Sequence, residues 1–206
     1  QPFRVIAHNG EINTLKGNKN WMSAHEPRLS HKNFGDSIND LKPIIDQDAS
    51  DSAALDSAIE LLVNSERSLP MAKLITIPEA WAHRGDFSKK LKNLYAYANA
   101  VMEPWDGPAA LCGIYKNWAI AGMDRNGLRP LRYTLTDDYL VVGSETGMVD
   151  IEESKIIKKG RVGPGQMIGV NFGESKFYHD DEIKLLLSSA KPFESWTKKI
   201  THLDKM

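Results

Sequence analysis

Among 206 residues, the pentapeptide Ala7-His8-Asn9-Gly10-Glu11 sets a carboxamide donor beside a glycine, directly after the apolar run Phe3 to Ala7. Glycine accepts positive φ without steric cost and asparagine tolerates the left-handed region, so the pair is first of all a turn former. A side-chain N–H next to an unshielded peptide N–H is also the pair of donors that acyl transfer aims at a tetrahedral oxyanion. The residues alone leave both readings open. Asp51, with Ser50 before it, has the same double character. A carboxylate at a helix start caps backbone N–H groups, and it also accepts from an ammonium group.

Other reactive side chains give weaker signals. The single cysteine, Cys112, lies in Ala109-Ala110-Leu111-Cys112-Gly113-Ile114 with no adjacent base or cation to lower its pKa, so it reads as a core thiol. One cysteine excludes an intramolecular disulfide framework and a multi-cysteine zinc site, and it favours a reducing compartment. His8 adjoins Asn9, while His25, His31, His83, His179 and His202 have no metal-site spacing, so no metal is expected. A second Asn-Gly pair sits in Asp124-Arg125-Asn126-Gly127-Leu128-Arg129-Pro130. That segment is either a solvated hairpin loop or an arginine–carboxylate lock for the loops around the site. Ser144-Glu145 either braces the site or ends a strand.

Periodicity supplies the elements that must position these groups. Residues 3–8 read as a strand and 15–26 as a helix capped by Asn13 or Thr14, followed by a polar irregular stretch to residue 47. Asp51 begins a helix with Leu55, Ala58, Ile59 and Leu62 on one face. Residues 69–75 form a further short helix, and 87–102 a longer one behind an Asp86 cap. Residues 109–115, 118–123, 131–135 and 139–143 then read as an antiparallel meander, with strands at 155–161, 166–171 and 176–178 and a final helix at 181–189. Helices segregated from antiparallel strands indicate an α+β fold.

Composition bounds the partners. Hydrophobic residues at 41% and charged residues at 26% fit one soluble domain, and a net charge of -1 gives no field for collecting polyanions. No nucleic-acid partner is expected. No apolar run approaches the ~20 residues that span a bilayer, and no signal sequence is evident, so a cytoplasmic, membrane-free protein is expected.

Several segments, in order, resemble one family: residues 3–15 around Asn9-Gly10, Ser50-Asp51-Ser52-Ala53-Ala54-Leu55-Asp56, Ile77-Pro78-Glu79-Ala80-Trp81, Trp105-Asp106-Gly107-Pro108-Ala109-Ala110, Asp124 to Pro130, Gly143-Ser144-Glu145-Thr146-Gly147, and residues 159–167. From Gln1 to about Trp196 the chain resembles the class II glutamine amidotransferase domain, the N-terminal-nucleophile glutaminase that opens glutamate synthase large subunits. The resemblance implies a four-layer αββα sandwich of two antiparallel sheets between helices, N-terminally truncated, with residues 1–206 a partial domain. It implies that the Asn9 side chain and the Gly10 N–H form the oxyanion hole and that Asp51 binds the α-amino group of L-glutamine.

The same resemblance implies hydrolysis of glutamine to glutamate and ammonia through a cysteinyl thioester, with the ammonia passed to 2-oxoglutarate. The family's nucleophilic cysteine, and the arginine and threonine that grip the glutamine carboxylate, precede the segment matching Gln1-Pro2-Phe3. The chain as given is therefore expected to be inactive, and loss of a strand there to leave an open sheet edge. FMN, an iron–sulfur cluster, and an electron-donor subunit or ferredoxin are implied for other regions of the parent, and no cofactor for this fragment. The alternative is a non-catalytic binding or scaffold module with a degenerate glutamine pocket. Another class II amidotransferase, of purine or amino-sugar synthesis, fits the site but not the Ile77 to Trp81 and Trp105 to Ala110 pattern.

Overall fold

The computed structural model describes residues 3–201; Gln1 and His202, both weighed above, lie outside them. In chain order the elements are β1 (Ile6–Gly10), α1 (Leu15–His25), α2 (Asp51–Asn64), α3 (Leu69–Thr76), α4 (Lys89–Val101), β2 (Ala109–Tyr115) and β3 (Trp118–Met123). They continue with β4 (Arg132–Leu135), β5 (Leu140–Gly143), β6 (Lys158–Arg161), β7 (Met167–Asn171), β8 (Lys176–Tyr178), α5 (Asp180–Ser189) and α6 (Phe193–Thr197).

Alternation along the strands decides how these elements stack. On β2, Ala109 and Leu111 join the helix-side core with Leu55, Ile59, Leu74 and Leu94, while Ala110 and Cys112 face Leu131, Tyr133 and Val162. A five-stranded antiparallel sheet, ordered β1-β2-β3-β7-β8, is thus covered by helices on one face. The three-stranded sheet β5-β4-β6 packs on the other. The α+β class with two antiparallel sheets is as expected. Among the described residues the layers are helices, large sheet and small sheet, and no helix of these residues covers the outer face of the small sheet.

Several local expectations change. Residues 109–143 do not form one meander: β3 turns away from β4 and pairs instead with β7, Trp118 opposite Asn171, so the strands divide between two sheets. The break is the Asp124 to Pro130 loop, where buried Asp124 turns its carboxylate back onto Ala109 N at 3.0 Å and Asn126 N at 2.8 Å. Ser50, not Asp51, caps α2, accepting from Ala53 N, and Ser88 rather than Asp86 caps α4. Asp86 instead holds Arg84 in a two-pronged ion pair. Thr14 occupies the α1 N-cap position, but its hydroxyl donates to Asn18 Oδ1 at 2.6 Å. Residues 153–155 form a 3₁₀ turn before the strand begins at Lys158. The short α6 was not anticipated; Phe193 and Trp196 anchor it on Tyr97, with ring centroids 5.0 and 5.3 Å away.

β1 is an edge strand among the described residues, but its outer amides are not all bare. The buried Asp56 carboxylate on α2 accepts from Arg4 N, Val5 N and Ile6 N at 2.8 to 3.0 Å. Strand and helix are thereby fixed in register just before Asn9 and Gly10.

Candidate active site

β1 delivers Asn9 and Gly10 to the end of the large sheet. Pairing of Asn9 with Ala110 and of Ala7 with Cys112 puts Asn9 on the face toward the small sheet. Gly10 adopts φ 142°, and a Cβ there would sit 1.8 Å from the Pro108 carbonyl oxygen. Gly107, across from it, would drive a Cβ to 1.9 Å from Glu11 O. Both positions require glycine because two backbones touch there. The contact is sealed by Glu11 N donating to Pro108 O at 3.1 Å and Asn13 N to Asp106 O at 2.7 Å.

The Asp124 to Pro130 loop closes over this end of β1. Arg125 Nη2 donates to Asp106 Oδ2 at 2.5 Å, a contact through one oxygen, where a bidentate lock was one of the two readings, that ties the loop to the Trp105 to Ala110 segment. Arg129 Nη2 donates to Asn9 Oδ1. A guanidinium has only donors, so the carboxamide atom facing it must be the oxygen. The Asn9 NH₂ group therefore points away from Arg129. The second Asn-Gly pair serves this loop: Asn126 N and Gly127 N donate to Asp124 Oδ2.

Asp51 lies beside the same end of β1. Its Oδ2 accepts from Ile12 N at 2.9 Å and its Oδ1 from Ser52 N at 2.7 Å. A carboxylate offers about four lone-pair sites, so acceptance from an ammonium group is still open. Ile12 follows Gly10 by two residues, so Asp51 also fixes the exit of the strand. Asp51→Asn, in an active protein of the relatives' length, should raise KM for glutamine and lower kcat as well; steady-state kinetics with unchanged KM would remove Asp51 from the substrate site.

His8 stands between these groups. Its Nδ1 is 2.7 Å from Ser52 Oγ, and its Nε2 is buried without a partner among the described residues. Burial pushes the His8 imidazole below its ordinary value, with Asp51 opposing the shift and Arg129 adding to it. A neutral imidazole here leaves the region's positive charge on Arg129.

Cys112 is half-buried rather than a full core thiol. Its strand register makes it a diagonal neighbour of Asn9 on one sheet face, a spacing of ~7–8 Å between backbones. It lines a mainly apolar cleft of about 920 Å³ between the sheets with Phe3, Ile114, Tyr139 and Phe177. Burial raises its pKa, which disfavours the thiolate a nucleophile requires. Glu145 is exposed after β5 and, among the described residues, makes no hydrogen bond to Asn9 or Asp51. Glu79, in the Ile77 to Trp81 segment, is buried and accepts from Tyr95 Oη at 2.5 Å. Among the described residues no group of three or more His, Cys, Asp or Glu could hold a metal ion, and no helix is long and apolar enough to cross a membrane.

The family model for glutamine amidotransferases class-II matches residues 1–196. The chain belongs to that family. The large chain of an NADPH glutamate synthase from Azospirillum brasilense is 51% identical over 207 residues, covering 100% of this chain and 14% of that protein. A ferredoxin-dependent glutamate synthase from Pyropia yezoensis is 46% identical, covering 94% of this chain and 13% of its own length. The large chain of the NADPH enzyme from Bacillus subtilis is 39% identical over 95% of this chain and 13% of that one. The chain thus spans about one seventh of these relatives. Among solved structures, a glutamine phosphoribosylpyrophosphate amidotransferase from B. subtilis aligns at 23% identity with a TM-score of 0.45, over 84% of this chain and 28% of that chain.

The sequence singled out Asn9, Gly10 and Asp51; the structure sets Asn9 and Gly10 in the last pairs of β1 rather than in a turn, with Asp51 beside them on Ile12 N. Arg129, Asp106 and Ser52 complete their surroundings. Their motifs were visible, but no local signal in the sequence pairs Arg129 with a residue 120 positions away.

Proposed function

We propose that this segment carries the oxyanion hole and ammonium acceptor of a glutaminase that supplies ammonia to 2-oxoglutarate within a glutamate synthase. The carrying observation is the Asn9 carboxamide, whose oxygen is turned to Arg129 and whose NH₂ group makes no hydrogen bond among the described residues, in a chain of the class-II family. Asn9 and the Gly10 N–H stabilise the tetrahedral intermediate formed when a cysteine thiolate attacks the glutamine carboxamide, and Asp51 accepts from the α-ammonium. The isolated 206-residue chain is inactive on this reading, because its one thiol, Cys112, has a raised pKa and no base beside it.

FMN and the iron–sulfur cluster belong to other parts of a longer protein, since a single cysteine cannot supply the thiolates a cluster needs. The remaining synthase domains and an electron donor are its partners, in the cytoplasm. The relatives named for NADPH, NADH and ferredoxin range from 39% to 51% identity, so this segment does not select the donor.

Intact-mass labelling with a glutamine-mimicking diazo-ketone tests the reading, on this chain and on one extended upstream to the relatives' length. One adduct on the extended chain alone is the expected result. Labelling of this chain at Cys112 would overturn the reading of that thiol as unreactive. Labelling of neither would favour a non-catalytic module with a degenerate glutamine pocket.

A further inference from the structure

A lysine is buried where neither the fold nor the reaction described above needs one. Lys73, on α3 amid Leu69, Leu74 and Ile75, is 1% exposed. Its stem crosses β3 at Gly122, where a Cβ would come within 2.9 Å of Lys73 Cε. Its Nζ donates to Met123 O at 2.8 Å. Met123 is the last residue of β3, and the next residue opens the loop that carries Arg125 and Arg129.

The surroundings show why the ammonium is tolerated. Asp124 faces it from the loop, Glu79 from the turn after α3, and Lys184 and Asp180 from α5. Lys184 pairs with Glu79 and with Asp180 Oδ2 at 2.6 Å, Tyr95 of α4 donates to Glu79, and Asp180 Oδ1 accepts from Met167 N at 2.9 Å. Each of these carboxylates already has another partner: Glu79 and Asp180 have Lys184, and Asp124 accepts from Ala109 N, Asn126 N and Gly127 N. A buried charge hydrogen-bonded to one carbonyl holds that carbonyl firmly, because breaking the contact strands the charge in low dielectric.

We propose that Lys73 is a positioning residue for the Asn9 donor, fixing the start of the Asp124 to Pro130 loop so that Arg129 reaches the Asn9 carboxamide. The proposal rests on the reading of Asn9 given above, but its test involves no glutamine. Burial pushes the Lys73 ammonium down to about 8, Lys184 adding to the shift and Asp180, Glu79 and Asp124 opposing it. Above that pH the amine still donates to Met123 O, as a neutral and weaker donor. The loop and the carboxamide should register the change.

The experiment follows Lys73 Cε, Arg129 Cζ and Asn9 Cγ by NMR in the ¹³C-labelled chain between pH 6 and 10. All three are expected to shift together with one midpoint near 8. In Lys73→Met, which keeps the stem and removes the charge, the step should vanish from Arg129 and Asn9. In Gly122→Ala, which crowds Lys73 Cε and leaves its charge, the low-pH positions of Arg129 Cζ and Asn9 Cγ should already be displaced. The proposal is overturned if Lys73 titrates while Arg129 and Asn9 stay still, or if their step survives in Lys73→Met, since another group in the cluster would then be its source. Should Lys73→Met not fold, an unmoved Asn9 Cγ in Gly122→Ala overturns it equally. Failure of the diazo-ketone labelling would leave these shifts untouched, so the two readings fail separately.

Discussion

Asn9→Ala, introduced into a protein of the relatives' full length, lowers glutamine turnover by ~10²-fold to 10³-fold with little change in KM. That is the typical cost of removing one preorganised donor from an oxyanion hole. The effect falls on kcat because the donor meets full negative charge only in the transition state. The sharper variant is Asn9→Asp. An aspartate presents an oxygen to Arg129 as Asn9 Oδ1 does, so the hydrogen bond is kept, now as an ion pair, and the loop survives, but no N–H is left to donate. Turnover should fall as far as in the alanine variant. Glutamate release measured under steady-state conditions decides it: an aspartate variant at full rate would show that the Arg129 contact, and not the donor, is what Asn9 contributes.

Replacing Asp56 has the largest expected effect on stability. Three backbone N–H groups, of Arg4, Val5 and Ile6, end on this one buried carboxylate. Hydrogen bonds to a charged acceptor contribute ~1.5–3 kcal/mol each, and donors left buried without a partner add their desolvation cost. Contributions on one group do not sum, so Asp56→Ala is expected to lose ~3–5 kcal/mol. A domain has only ~5–15 kcal/mol in total. Asp56→Asn should lose somewhat less, since one oxygen remains while an NH₂ group faces the strand. Urea unfolding would show a lower midpoint with an unchanged slope. A loss under ~1 kcal/mol would mean that water replaces the carboxylate at this edge without penalty.

Strong local patterns in the sequence predicted their elements well. The strands at 109–115, 118–123 and 176–178 begin and end as alternation and turn residues indicate, and the face of α2 with Leu55, Ala58, Ile59 and Leu62 is buried as its spacing requires. Caps were displaced by one or two residues where a serine stood near an aspartate, because both residue types are favoured N-caps and the sequence does not say which the helix uses. The division into two sheets was hidden for another reason. β3 is adjacent in sequence to β4 and adjacent in space to β7, and nothing within Trp118 to Met123 distinguishes these partners. Lys73 was invisible for a similar reason: a lysine in an apolar helix looks like an exposed position until the far side of the helix is known. The roles of Asn9, Gly10 and Asp51 came from family resemblance. Geometry adds the orientation of the Asn9 carboxamide and the second duty of Asp51.

The contacts that orient Asn9 join segments far apart along the chain. Asp51 meets Ile12 across 39 residues, Thr14 meets Asp106 across 92, and Arg129 meets Asn9 across 120. Closing loops of that length carries an entropy cost that local helices never face, and non-local pairing is what slows folding. During synthesis, the first Asn-Gly pair waits until the second half of the domain has emerged before its carboxamide acquires a fixed direction. A molecule halfway through folding can have α2 and the β2–β3 hairpin in place and still lack any aligned donor. Such an intermediate would lack the Arg129 contact that orients the Asn9 carboxamide until the remainder of the sheet had closed around it.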